Sequence, residues 1–166
     1  MKTLFRTLLS LALITWLGAE IFFPVVAVVT FKVLQPDTHT AGAIVGHLLR
    51  ILHGMGLASG LVALIALALT AALRIYKPRA VLVPMGLLAL MLVLTVYSQV
   101  GILPAMERDR IAAGGAINVV TAANESRIDF EKLHRRSVYV EEAVLLLGLA
   151  TVLFVAKAET EKAKES

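Results

Sequence analysis

A chain of 166 residues that is 58% hydrophobic and 17% charged is too apolar for an ordinary soluble domain, in which about a quarter of residues are charged. The net charge of +4 is scattered over loops and tail with no basic stripe interleaved with aromatics, which speaks for membrane topology and against nucleic-acid binding. The absence of cysteine excludes disulfides, thiolate metal ligands and redox thiols.

The apolar residues gather into long runs. After a basic lead with Lys2 and Arg6, residues 7–31 are charged only at Glu20 and are long enough to span a bilayer. No small-x-small cleavage site follows, so the run reads as a retained helix rather than a signal peptide. Pro24 removes the helical donor to the carbonyl of Glu20, which predicts a bend there. Gln35-Pro36-Asp37 breaks the chain before the second helix.

That second run, residues 41–73, is the one the rest is organised around. It carries His47, Arg50 and His53 three residues apart, followed by apolar sequence. Gly42, Gly46, Arg50, Gly54 and Ala58 recur every four residues. The pairs Gly42/Gly46 and Gly56/Gly60 fit the small-xxx-small pattern of close helix contacts. Gly42, Gly46, Gly54, Gly56 and Gly60 are therefore the expected packing residues, against a helix of the same bundle or of a partner protein or second copy.

Arg74, Lys77 and Arg79 form a basic turn without an acid. By the positive-inside rule this turn, with Lys2 and Arg6, is cytoplasmic. The third run, 80–103, is polar near its far end at Tyr97, Ser98 and Gln99, and Pro104 is expected to close it. Residues 107–132 are a long connection with charges of both signs and a flexible Ala-Ala-Gly-Gly at 112–115. Ser126 and Asp129 make a capping-box-like start for a last helix, apolar over 138–156 but for Glu141 and Glu142. The expected fold is all-α: a four-helix transmembrane bundle over residues 1–156, with helices near 7–33, 41–75, 80–105 and 126–156. A long outer loop joins the third and fourth helices, a frayed charged tail covers 157–166, and both termini are cytoplasmic in a cell membrane.

Several fragments occur together: Trp16-Leu-Gly18, Ala41-Gly42-x-x-Val45-Gly46, Leu103-Pro104-x-Met106 and Phe130-x-x-Leu133-His134-x-x-Ser137. With them the chain resembles the four-helix membrane family that includes vertebrate transmembrane protein 205 and bacterial proteins described as a domain of unknown function. The resemblance implies a fold and a location, and singles out Trp16, Gly18, Gly42, Gly46, Pro104, His134 and Ser137. It implies no biochemical activity.

Depth supplies the candidate site. With a rise of about 1.5 Å per residue, Glu20 lies about 20 Å above the inner boundary and Glu141 and Glu142 about 21–23 Å. Gln99 follows at about 28 Å, His53 at about 30 Å, and Arg50 and His134 at about 33–35 Å. In a core about 30 Å thick these groups share the outer half. An outer-facing polar pocket is expected, with Glu20, His53 and Glu141 as metal ligands and Arg50, Gln99, His134 and Ser137 lining it. A Glu20–Arg50 ion pair is the structural alternative. His-Glu-x-x-His, nucleophile-elbow and phosphate-loop motifs are absent, and no catalytic residue is predicted. Three functions fit: binding or passing a small cation or proton, a non-catalytic accessory or assembly role, and a haem-binding oxidoreductase-like protein using His53 or His47 with His134.

Overall fold

The computed structural model describes residues 2–163. Its elements are α1 (Lys2–Val33), α2 (Thr38–Ala72), α3 (Pro78–Tyr97), a π-helical turn (Ser98–Ile102), α4 (Leu103–Ala112) and α5 (Glu125–Ala163). Four helical stretches are long and apolar enough to cross a membrane: α1, α2, the continuous run Pro78–Ala112, and Glu125–Thr160. The protein is thus an all-α, four-span membrane bundle. A 32-residue helix such as α1 is about 48 Å long, so its ends project beyond a hydrocarbon core of about 30 Å.

Around the bundle, α1 packs most extensively on α2, α2 on α3 and α3 on α5, and a thinner α1–α5 contact closes the ring. Each span buries a seam that alternates steps of three and four residues. On α1 it is Leu9, Leu13, Trp16 and Glu20; on α2 it is Leu49, His53, Gly56, Gly60, Ala63 and Leu67. On α3 and the turn beyond it the seam runs Val81, Pro84, Leu88, Met91, Thr95, Ser98 and Ile102, and on α5 it includes Ser137, Val144, Gly148 and Thr151. An average step of 3.5 is the signature of knobs-into-holes packing. The threonine hydroxyls on these seams are locally occupied, Thr70 donating to Leu67 O, Thr95 to Met91 O and Thr151 to Leu147 O.

At one end of the bundle, Tyr76 Oη donates to Glu159 Oε1 at 2.6 Å, and the Arg6 guanidinium lies 5.4 Å from the Tyr76 ring centroid. The start of α1, the turn between α2 and α3, and the end of α5 therefore share that end. At the opposite end the His39 ring meets the Gly115 carbonyl and Arg110.

Several boundaries differ from expectation. Pro104 does not close the third span; it occupies the first turn of α4, where its missing N–H is tolerated, and the helix runs on to Ala112. The stop comes at Gly114 and Gly115, whose φ of 78° and 91° a residue with a side chain rarely adopts. The cap of α5 is Asn124, whose Oδ1 accepts from Arg127 N at 3.1 Å, rather than Ser126. The expected frayed tail is helical as far as Ala163, with Ala158 buried and Glu159 tied to Tyr76; residues 164–166 lie outside the described residues. Within the bundle the glycine stripe divides in two. A Cβ on Gly42, Gly46 or Gly54 would meet nothing within 4 Å, whereas one on Gly56 or Gly60 would strike the Trp16 ring at 2.6 and 2.3 Å. A strict four-residue repeat runs ahead of the helical turn by about 40° per step, so it leaves the buried seam that a three-four alternation follows.

Candidate functional site

His53 is completely buried, and its seam carries it into the centre of the bundle. Its Nδ1 lies 3.0 Å from Gln99 Oε1 and its Nε2 2.8 Å from Glu141 Oε1. Ser98 Oγ donates to that same Glu141 oxygen at 3.1 Å. On α1, Trp16 Nε1 donates to Glu20 Oε1 at 3.1 Å, and Glu20 is buried within electrostatic reach of both His53 and Glu141. All four spans thus contribute a polar side chain to one level of the bundle.

The π-helical turn makes this arrangement possible on the third span. Neighbouring side chains on a regular α-helix diverge by about 100°, which would aim Ser98 and Gln99 at different surroundings. Here the Leu103 N–H donates to Ser98 O, five residues back, and the widened turn sends Ser98 to Glu141 and Gln99 to His53. Pro104, which has no N–H, leaves the helical ladder one donor short at this point and so eases the change of winding.

Both ring nitrogens of His53 face acceptor oxygens. With Gln99 Oε1 accepting from Nδ1–H, a second proton is shared between Nε2 and Glu141 Oε1. His53 and Glu141 then sum to zero charge, whichever of the two formally owns that proton. Glu20 is the remaining titratable group: the trio is neutral when Glu20 carries a proton and bears one negative charge when it does not. Glu141 Oε2 is buried without a hydrogen-bond partner, so it too can take up a proton without breaking an existing bond.

The other expected site residues stand elsewhere. Arg50 is exposed and acts on Glu107, and among the described residues no ion pair joins it to Glu20. Three residues before His53 on the helix, it has turned off the seam toward the surface. His134 is exposed and stacks on Phe130 with centroids 6.2 Å apart, and Glu142 and His47 are exposed. Ser137 is buried one turn before Glu141. The cavity described, about 330 Å³ between α4 and α5, is lined by Ala105, Asp109, Asp129, Lys132, Leu133 and Arg136, none of them an expected pocket residue. Trp16 and Ser98 belong to the network although depth alone did not mark them as site residues. The three-four seam, which both residues occupy, is the sequence signal that finds them.

Among the described residues no three histidine or carboxylate side chains are grouped so as to hold a metal ion, Glu20, His53 and Glu141 included. A haem held by His53 and His134 would join a fully enclosed imidazole, already bonded at both nitrogens, to an exposed one. The residues present do not fit that group.

A family model described as Domain of unknown function (DUF4149) matches residues 11–114. The match takes in Trp16, Glu20, His53, Ser98 and Gln99 but stops short of the Phe130–Ser137 fragment and of Glu141. No curated protein and no solved structure matches the chain.

Proposed function

From the premise that the chain belongs to the DUF4149 family, whose description assigns no activity, we propose that this membrane protein binds and exchanges a proton at Glu20, His53 and Glu141. The observation that carries this reading is the 2.8 Å contact between His53, fully enclosed by the bundle, and Glu141, with Glu20 as a second carboxylate in reach and no guanidinium beside it. Ionisable groups inside a membrane are expensive and mark ion or proton pathways. A proton suits the site better than a metal ion, because His53 and Glu141 are hydrogen-bonded to each other, Glu20 is held by Trp16, and the three do not converge as a ligand set. Arg6, Arg74, Lys77 and Arg79 at one end support a cytoplasmic placement of that end. The likeness to the family that includes vertebrate transmembrane protein 205 rests on the quoted fragments, and the last of them lies beyond the matched span.

Trp16 is the chain's one tryptophan and donates directly to Glu20, so its fluorescence reports the proton on that carboxylate. In detergent, emission should change through a single protonation step as pH is varied. Glu20→Gln should abolish the step, and Glu141→Gln and His53→Gln should displace it. A flat wild-type titration, or one that Glu20→Gln leaves intact, would refute the reading.

A further inference from the structure

We infer that Trp16, seated in a notch of glycines, seals this site from the Arg6–Tyr76–Glu159 end, so that its protons exchange with one face of the membrane only, past Glu141. The inference rests on the proton-binding reading above and adds sidedness to it.

The seal lies one to two helical turns from the network on every span. On α1, Trp16 precedes Glu20 by four residues; on α2, Gly56 and Gly60 follow His53 toward the Tyr76 end. The indole fills the space left by both glycines, since a Cβ on Gly60 would sit 2.3 Å from Trp16 Cζ3 and 2.8 Å from Leu92 Cδ2. Across the bundle, Leu17 enters a matching notch on α5: a Cβ on Gly148 would lie 2.3 Å from Leu17 Cδ2 and 3.1 Å from Met91 Cε. Trp16 is 1% exposed and Met91 and Val144 are 0% exposed, and Ala63, Leu67 and Leu88, also 0% exposed, continue the closed apolar packing toward the Tyr76 end.

Between this layer and the Arg6–Tyr76–Glu159 cluster, the buried polar side chains on the span seams are Thr70 and Thr151, each with its hydroxyl donating to a carbonyl of its own helix. Neither is a proton acceptor for the network. Among the described residues, the titratable groups that face the site are the three it contains: Glu20 from α1, His53 from α2 and Glu141 from α5, while the third span offers Ser98 and Gln99. Of the ion-paired partners, the His53 side chain is 0% exposed and that of Glu141 18%, with its Oε2 buried, so of the two only Glu141 reaches the outside of the bundle, and does so along its side chain rather than at Oε2.

Purified protein in vesicles, with a pH-sensitive dye inside and an imposed pH difference, tests the seal. Wild-type vesicles should hold the gradient as well as protein-free ones. Trp16→Ala should dissipate it several-fold faster, Trp16→Phe should stay tight because the ring remains, and adding Glu20→Gln to Trp16→Ala should suppress the leak. If Trp16→Ala does not elute as a monodisperse helical protein, Met91→Ala opens the same layer and carries the same expectation. A wild type that conducts, with conduction lost in Glu20→Gln, overturns sidedness and leaves proton binding standing. A tight Trp16→Ala and Met91→Ala, or a leak indifferent to Glu20, also overturns the seal. Failure of the Trp16 fluorescence titration removes the proton reading and this inference together.

Discussion

A charged side chain at the centre of a bilayer costs on the order of 3 kcal/mol unless protein or water receives it. Glu20 is received by the Trp16 N–H and lies in reach of His53, and Arg50 takes no part. The guanidinium starts well above Glu20 and leaves its helix on the wrong side. A place in the same half of the bilayer does not bring two side chains together when one is off the seam. The same distinction separates the glycines. Gly60→Ala forces a methyl group against the buried indole, with an expected cost of about 1–3 kcal/mol through overpacking. Gly46→Ala meets nothing within 4 Å and should be neutral or slightly stabilising, because alanine is the better helix former. Thermal midpoints of the two variants in detergent measure the difference, and equal midpoints would place the Trp16 notch on a loose face.

Helices are where the sequence is most legible. Four apolar runs, their order and the turn at Gln35–Asp37 follow from hydropathy and breakers, because bilayer thickness imposes length on each span. Glu20, His53, Gln99 and Glu141 were also readable as polar residues of similar depth, but the partners that complete the site were not. The seam places Ser98 inside the bundle, but the change of helical winding that sends Gln99 to His53 beside it is announced by no periodicity, and Pro104 reads locally as a stop while acting as the start of the next helical segment. The clasp between the α2–α3 turn and α5 was hidden as well, since 83 residues separate Tyr76 from Glu159. Burial first, and then the hydrogen bond to Glu159, push the Tyr76 phenol well above its ordinary value of 10.0. A raised folded value means that this contribution to stability is complete below about pH 10, the value in the unfolded chain, and is lost as pH rises through the folded one. Tyr76→Phe should lose a hydrogen bond to a charged acceptor, about 1.5–3 kcal/mol. Thermal melts should show that deficit undiminished from neutral pH to about pH 9 and shrinking only under more alkaline conditions. A deficit that instead disappears between pH 5 and 8 would assign the clasp to another group.

At the scale of the whole molecule, the polar network divides the bundle into unlike halves. Beyond the Trp16 layer lie the apolar core and the clasp of Arg6, Tyr76 and Glu159; on the other side lie Glu141, the exposed Arg50 and His134, and the charged segments of α4 and α5. Any sidedness of proton exchange therefore takes its direction from the orientation of the chain. The short turn with Arg74 and Lys77, together with Arg79, Arg6 and Lys2, argues for a cytoplasmic placement of one end by the positive-inside rule. Arg108, Arg110, Arg127, Lys132, Arg135 and Arg136 weigh against it from the other end. The natural chain has no cysteine, so single substitutions can be labelled without background. Lys77 and Asp37 are exposed at the turns that flank α2, one at each end of that span. A membrane-impermeant maleimide added to intact cells should modify Asp37→Cys at once and Lys77→Cys only after permeabilisation. The opposite pattern would turn the bundle over, and Glu141 would then take its protons from the cytoplasm.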